Sequence, residues 1–212
     1  MASAANPCSE SVLQSLLHSV SQPLTTLHCV LETSLGHNER PGSEEVSMAL
    51  EETDRVIQAV RLMREYLEAE ERSCAEAVAV GPAIGSVLEL LSGVAEAHGV
   101  KLFTMGASNA RIPMSNMKLQ RMLFYLIESL IESVERYRAI TVVLEDCRSQ
   151  SFLSAYCLPI YAAPERPMVG SAPNAFRRAR IAIAQRALEC SGAVVCSQWG
   201  GKAGFTIRIP AE

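Results

Sequence analysis

The sequence predicts an α+β protein in which an antiparallel pair of long helices precedes a part that mixes helices with strands. Apolar residues make up 49% of the 212 residues, enough for a sizeable core, whereas aromatic residues, which favour strands, make up only 5%. Apolar residues in the first third recur with a helical heptad spacing. Alternation typical of strands comes later, at 140–145 and 152–157.

The first helix is predicted to begin at Glu10, after Ser9 as N-cap, and to end at Gly36. Its apolar residues are separated by steps of four and three, which is a heptad seam. The seam consists of Leu13, Leu17, Val20, Leu24, Leu27 and Leu31.

A turn over 36–42 leads into a second helix that is capped at Ser43. Its seam consists of Val46, Ala49 or Leu50, Thr53, Ile57, Val60, Met63 and Leu67. Two helices bury only one face against each other, so apolar surface is left over. We expect a second copy of the chain to cover that surface, which gives a four-helix bundle in a homodimer. Packing of the hairpin against the rest of its own chain is the alternative.

Composition excludes several classes of protein. The net charge of −4 argues against a nucleic-acid partner, which requires a basic surface. Seven cysteines with no C-x-x-C pair indicate neither a zinc site nor a disulfide framework. Residues 1–12 lack the features of a signal peptide, and the apolar stretch 122–134 is interrupted by Glu128 and Glu132. We therefore expect no metal site, no membrane partner and a cytoplasmic location.

One histidine lies outside the first seam. With Leu17 and Val20 at heptad positions a and d, His18 falls at b, on the exposed side. The string LHSVSQPLT, which begins at Leu17, resembles the phosphoacceptor box of sensor histidine kinases. The resemblance implies that His18 is the phosphoacceptor. It also implies that Ser19 replaces the acid that acts as general base in active kinases, and that Gln22 could contact a water molecule or a receiver domain.

Residues 79–212 resemble the ATP-binding domain of the same kinases, which implies an α/β sandwich with helices on one side of a mixed sheet. The matching segments are 81–103 (entry helix and strand), 119–134 (Asn-box helix), 140–145 and 152–157 (strands), 179–190 (helix after the glycine box), and 192–195 with 204–210 (closing hairpin, turn at 200–201). The predicted domains are therefore a helical hairpin over 1–75 and an ATPase-like domain over 79–212.

The residues that hold the nucleotide in this family are replaced in the present sequence. At the positions of the metal-binding Asn of the Asn box, this chain has Tyr125 and Ser129. At the Asp and Gly of the D-x-G-x-G box it has Cys157 and Pro159. At two glycines of the glycine box it has Arg178 and Arg180. The resemblance thus implies a degenerate domain without productive ATP binding and with no cofactor of its own. The arginines could instead hold an anion.

A retained phosphoacceptor box beside replaced nucleotide boxes favours a histidine phosphotransferase in a bacterial two-component phosphorelay. His18 would relay phosphoryl groups between response-regulator receiver domains, and the receiver would supply Mg²⁺. In layout the chain resembles the ChpT-type phosphotransferases. One alternative is a non-catalytic dimeric pseudokinase that binds and regulates a receiver domain or a sensor kinase. Another is an ordinary kinase, or a receiver phosphatase that uses Gln22.

Overall fold

The structure is a computed structural model that describes residues 7–36, 42–69, 76–134, 138–147, 150–159, 175–198 and 204–210. The chain divides into two compact units. The first contains the helices before residue 69 together with residues 175–179, and the second contains the remainder. The two turns predicted at 36–42 and at 200–201 lie, apart from their flanking residues, outside the described residues.

Two long helices form the hairpin of the first unit, α1 (Pro7–Gly36) and α2 (Ser43–Glu68). The first helix begins three residues before the predicted start, because proline is well suited to the first position of a helix. At the start of α2, the Glu45 carboxylate accepts a hydrogen bond of 2.9 Å from the backbone N–H of Gly42. This contact satisfies one of the amides that a helix N-terminus leaves unpaired.

The face that each helix buries differs from the predicted seam. Leu16 and Pro23 are buried on α1, and Ala59, Leu62 and Tyr66 are buried on α2. In the single chain, half of the first predicted seam and most of the second are exposed, and the buried residues lie one position earlier. The exposed apolar members are Leu17, Leu24 and Leu31 on α1, and Val46, Leu50, Ile57, Val60 and Leu67 on α2. We call this set the exposed apolar stripe.

The second unit contains a mixed sheet, as the sequence predicts. Its elements are β1 (Val78–Ala79), α3 (Val80–Ala97), β2 (Val100–Gly106), β3 (Arg111–Ile112), α4 (Asn116–Ile131), β4 (Arg138–Cys147), β5 (Gln150–Pro159), α5 (Ala175–Cys190, from residue 180 onward), β6 (Val194–Gln198) and β7 (Gly204–Pro210). The strand order is β2-β4-β5-β7-β6, and β1 pairs with β3 separately. Strand β2 is parallel to β4, and the other pairs are antiparallel. The α+β fold class is confirmed.

The core of the second unit follows from amphipathic helices and alternating strands. Helices α3 and α4 pack on each other, and alternate strand residues point into the core. The inward strand residues include Ile140, Val142, Leu144, Leu153, Ala155, Phe205, Ile207 and Ile209. By length and composition alone, one described helix, α3, could cross a membrane. In the structure it is amphipathic, with buried residues that include Ile84, Val87 and Leu91.

Gly106 at the end of β2 has a conformation that other residues rarely adopt. Its φ is +78°, and a Cβ atom there would lie 2.1 Å from the carbonyl oxygen of Leu144. We expect Gly106→Ala to lower the free energy of unfolding by about 2 kcal/mol or more. Gly85→Ala is the control, because this position in α3 has open space and a helical alanine should stabilise by up to about 1 kcal/mol. Denaturant titration measures both, and equal stability of the Gly106 variant and the wild type would contradict the prediction.

Candidate functional site

His18 is an exposed residue of α1, in the first unit. Gln22 and Thr25, four and seven residues further on, lie on the same helix face and are also exposed. These side chains border an open groove of about 810 Å³. The groove is lined by His18, Ser19, Ser21, Gln22, Pro23, Thr25 and Thr26 of α1, Glu52 and Arg55 of α2, and Ala175 and Phe176, which group with this unit.

The hydroxyl groups beside His18 are bonded back onto their own helix. Ser19 Oγ donates to the Ser15 carbonyl at 2.8 Å, and Ser21 Oγ donates to the Leu17 carbonyl at 3.0 Å. The position after His18 therefore carries a hydroxyl already used as a donor, and a hydroxyl is a far weaker base than a carboxylate. The structure thus places no general base at the residue after His18.

Helix α2 brings a cationic side chain to the same groove. Arg55 Nη1 lies 2.6 Å from Glu52 Oε1, and the Arg55 side chain is 56% exposed. The guanidinium has five donors, and one contact with Glu52 leaves others directed at solvent or at a bound anion. The groove therefore has an imidazole and a guanidinium in its lining. No group of three or more His, Cys, Asp or Glu side chains is placed to hold a metal ion in the part of the chain that the structure describes.

The two residues at the predicted Asn-box positions lie on α4 and offer no metal ligand of the amide type. The ring of Tyr125, which is half-buried, meets Phe124 edge-on at 6.5 Å between centroids. Ser129 is fully buried, and its Oγ has no hydrogen-bond partner among the described residues. Neither position presents the carbonyl oxygen that an asparagine would offer to Mg²⁺.

Two further predicted positions lie on a strand. Cys157 and Pro159 are in β5, where they pair with Ile140 and Arg138 of β4. The antiparallel pairing of β5 with β4 therefore continues through the segment in which the family has the D-x-G-x-G box. The structure does not describe the two side chains.

The two arginines at the predicted glycine positions have separate partners. Arg178 is exposed and Nη2 donates to Ser15 Oγ at 3.3 Å, inside the first unit. Arg180, in the second unit, pairs with Glu128 and Glu132 of α4. Because its guanidinium is already bound to two carboxylates, the geometry argues against the alternative in which Arg180 holds an anion. At the described positions, Tyr125 and Ser129 offer no amide oxygen to a metal ion, and Arg180 is paired with carboxylates.

Glu128 and Glu132 belong to this arrangement, and the sequence reasoning missed their role. In the sequence they stand out only as charges that interrupt an apolar helix. Two carboxylates four residues apart lie on one helix face, where they repel each other. The signal that could have found them is this pair of like charges on a helix that is largely apolar, because such a pair requires a cation nearby.

Solved structures of histidine kinases resemble the chain. No protein-family model matches the sequence, and no curated protein sequence matches it. The histidine kinase AdeS of Acinetobacter baumannii aligns with a TM-score of 0.66 at 16% identity, over 91% of this chain and 97% of that one. A histidine kinase from Burkholderia phymatum aligns with a TM-score of 0.52 at 13% identity, over 92% of this chain and 97% of that one.

A third structure is that of the histidine kinase ThkA in complex with the response regulator protein TrrA. It aligns with a TM-score of 0.64 at 16% identity, over 92% of this chain and 60% of the ThkA chain. The alignments span both units of the present chain. The chain therefore has the fold of a histidine kinase core, in which a helical hairpin of the dimerisation type precedes an ATPase-like domain, as the sequence resemblance predicted.

Proposed function

We propose that this chain is a histidine phosphotransferase that relays phosphoryl groups between receiver domains through His18, without productive ATP binding. The observation that carries the proposal is the exposed His18 on a kinase-type hairpin, together with an ATPase-like unit whose nucleotide positions hold other residues. An exposed imidazole on a rigid helix is accessible to the active site of another protein. A neutral imidazole is also a competent nucleophile toward phosphorus.

The proposed reaction is a reversible transfer between an aspartyl phosphate and His18. A nitrogen of the imidazole attacks the phosphorus, the bond between phosphorus and the aspartate oxygen breaks, and the carboxylate leaves. The proton of the attacking imidazole is released to solvent. The receiver contributes the carboxylate and its Mg²⁺, so this chain needs no metal ion. Transfer to a second receiver runs the same steps in reverse.

The partners follow from this chemistry. A receiver domain is the expected partner, and the complex of ThkA with the response regulator protein TrrA supports this class of partner for a chain with the same fold. A homodimer is also proposed, because the exposed apolar stripe runs along both helices of the hairpin. With such partners the chain would act in the bacterial cytoplasm, in a layout like that of the ChpT-type phosphotransferases.

The test compares two phosphoryl donors. We expect the chain to become labelled by a receiver that has been phosphorylated beforehand, and to remain unlabelled with Mg·ATP alone. Label that is lost in acid and retained in base identifies a phosphohistidine. Labelling by Mg·ATP would instead show an active kinase. If neither donor gives label while the receiver still binds, the chain is the non-catalytic pseudokinase.

A further inference from the structure

Three charged side chains of the second unit form a compact group between α4 and α5. Arg180 Nη1 donates to Glu128 Oε2, and Arg180 Nη2 donates to Glu132 Oε1 at 2.9 Å and to Glu132 Oε2 at 3.2 Å. The exposed fractions of the three side chains are 13% for Arg180, 17% for Glu128 and 29% for Glu132. We call these three residues the Arg180 cluster.

The two carboxylates would repel each other in the absence of the arginine. Burial raises the pKa of Glu128, the charge of Glu132 raises it further, and Arg180 opposes both effects. The guanidinium of Arg180 lies between the two carboxylates and offsets their mutual repulsion. Since Arg180 bonds to both, each carboxylate has a charge-assisted hydrogen bond.

Arg180 stands at a position where the family resemblance predicts a different residue type. The family resemblance predicts glycine there, and a glycine has no side chain that could reach the neighbouring helix. Glu128 directly precedes Ser129, the position predicted for a metal ligand. The Arg180 side chain therefore connects the helix of the former glycine box with the helix of the former Asn box.

We propose that Arg180 is an internal counter-ion that holds α4 and α5 together, so that the second unit keeps its structure without a metal-bound nucleotide. This inference rests on the proposed absence of productive nucleotide binding.

The test is a set of variants of the full chain, compared by thermal unfolding. We expect Arg180→Met to lower the Tm by roughly 4–10 °C, because it leaves two poorly solvated carboxylates without a counter-ion. Arg180→Lys should give an intermediate Tm, because an ammonium group cannot make the forked contact with both carboxylates. The triple variant Arg180→Met, Glu128→Gln, Glu132→Gln should regain most of the loss, since no unpaired charge remains.

Several outcomes would overturn the proposal. They are an Arg180→Met variant as stable as the wild type, a triple variant no more stable than Arg180→Met, and a wild-type Tm that Mg·ATP raises by several degrees. If Arg180→Met does not fold, the triple variant decides: a folded triple variant supports the proposal, and an unfolded one overturns it. Acceptance of phosphate by His18 is measured separately, so failure of the cluster and failure of the phosphotransferase reaction are distinguishable.

Discussion

His18→Gln is expected to abolish acceptance of phosphoryl groups from a phosphorylated receiver, with a loss of at least roughly 1,000-fold in the rate of transfer. Glutamine is similar in length and polarity, but its amide nitrogen is not a nucleophile. His18 is exposed on a continuous helix, so the substitution should leave the fold and the hairpin unchanged. The measurement is the amount of label transferred to the chain from the receiver, resolved in time.

His28→Gln is the matched control on the same helix. His28 is also exposed, at 71% of its side chain, and its Nδ1 lies 3.4 Å from Glu32. It lies ten residues after His18 and outside the groove, so its variant should accept label at the wild-type rate. Retention of label by His18→Gln, or equal losses in the two variants, would show that another group accepts the phosphate.

The sequence predicted the large elements because periodicity depends on local residues. The alternation at 140–145 and 152–157 correctly placed two strands, although β4 and β5 each extend to ten residues. A strand continues as far as its ladder of hydrogen bonds, and side-chain alternation does not report where that ladder ends. The two-residue strands β1 and β3 carry no pattern, so they could not be predicted.

The choice of buried face in the hairpin could not be settled from spacing. On α1, a heptad through Leu16 and Pro23 and another through Leu17 and Leu24 are adjacent, and both are largely apolar. Steps of three and four fit either set. In the folded unit the first set is the buried one. The other apolar face, through Leu17 and Leu24, is the surface that the proposed dimer requires.

The residues of the candidate site also differ in whether the sequence alone could identify them. His18 could be singled out because its box is contiguous in the sequence. The Arg180 cluster could not be found so easily, because Arg180 and the two glutamates are separated by 48 and 52 positions. Contacts across such distances exist only once the chain has folded, and the sequence indicates them only through the unexplained charge on each helix.

Ile57→Glu is expected to convert the proposed dimer into a monomer. Ile57 is 44% exposed in the single chain and lies within the exposed apolar stripe. In a two-fold symmetric dimer each substitution occurs twice, so two carboxylates would enter the interface. Burial of unpaired charge there should raise the dissociation constant by roughly 100-fold or more. Sedimentation or light scattering distinguishes a 23.0 kDa monomer from a particle of twice that mass.

Gln58→Glu is the control, since Gln58 is the next residue and is exposed but lies off the stripe. It adds the same charge to the same helix and should leave the dimer intact. A wild-type chain that is monomeric at micromolar concentration would contradict the homodimer and favour the alternative in which the hairpin packs on its own chain. A dimer that survives Ile57→Glu would place the interface elsewhere. Because His18 directly follows Leu17 of the stripe, a dimer formed through the stripe brings the interface next to the proposed phosphoacceptor, and the monomeric variant should also transfer phosphate more slowly.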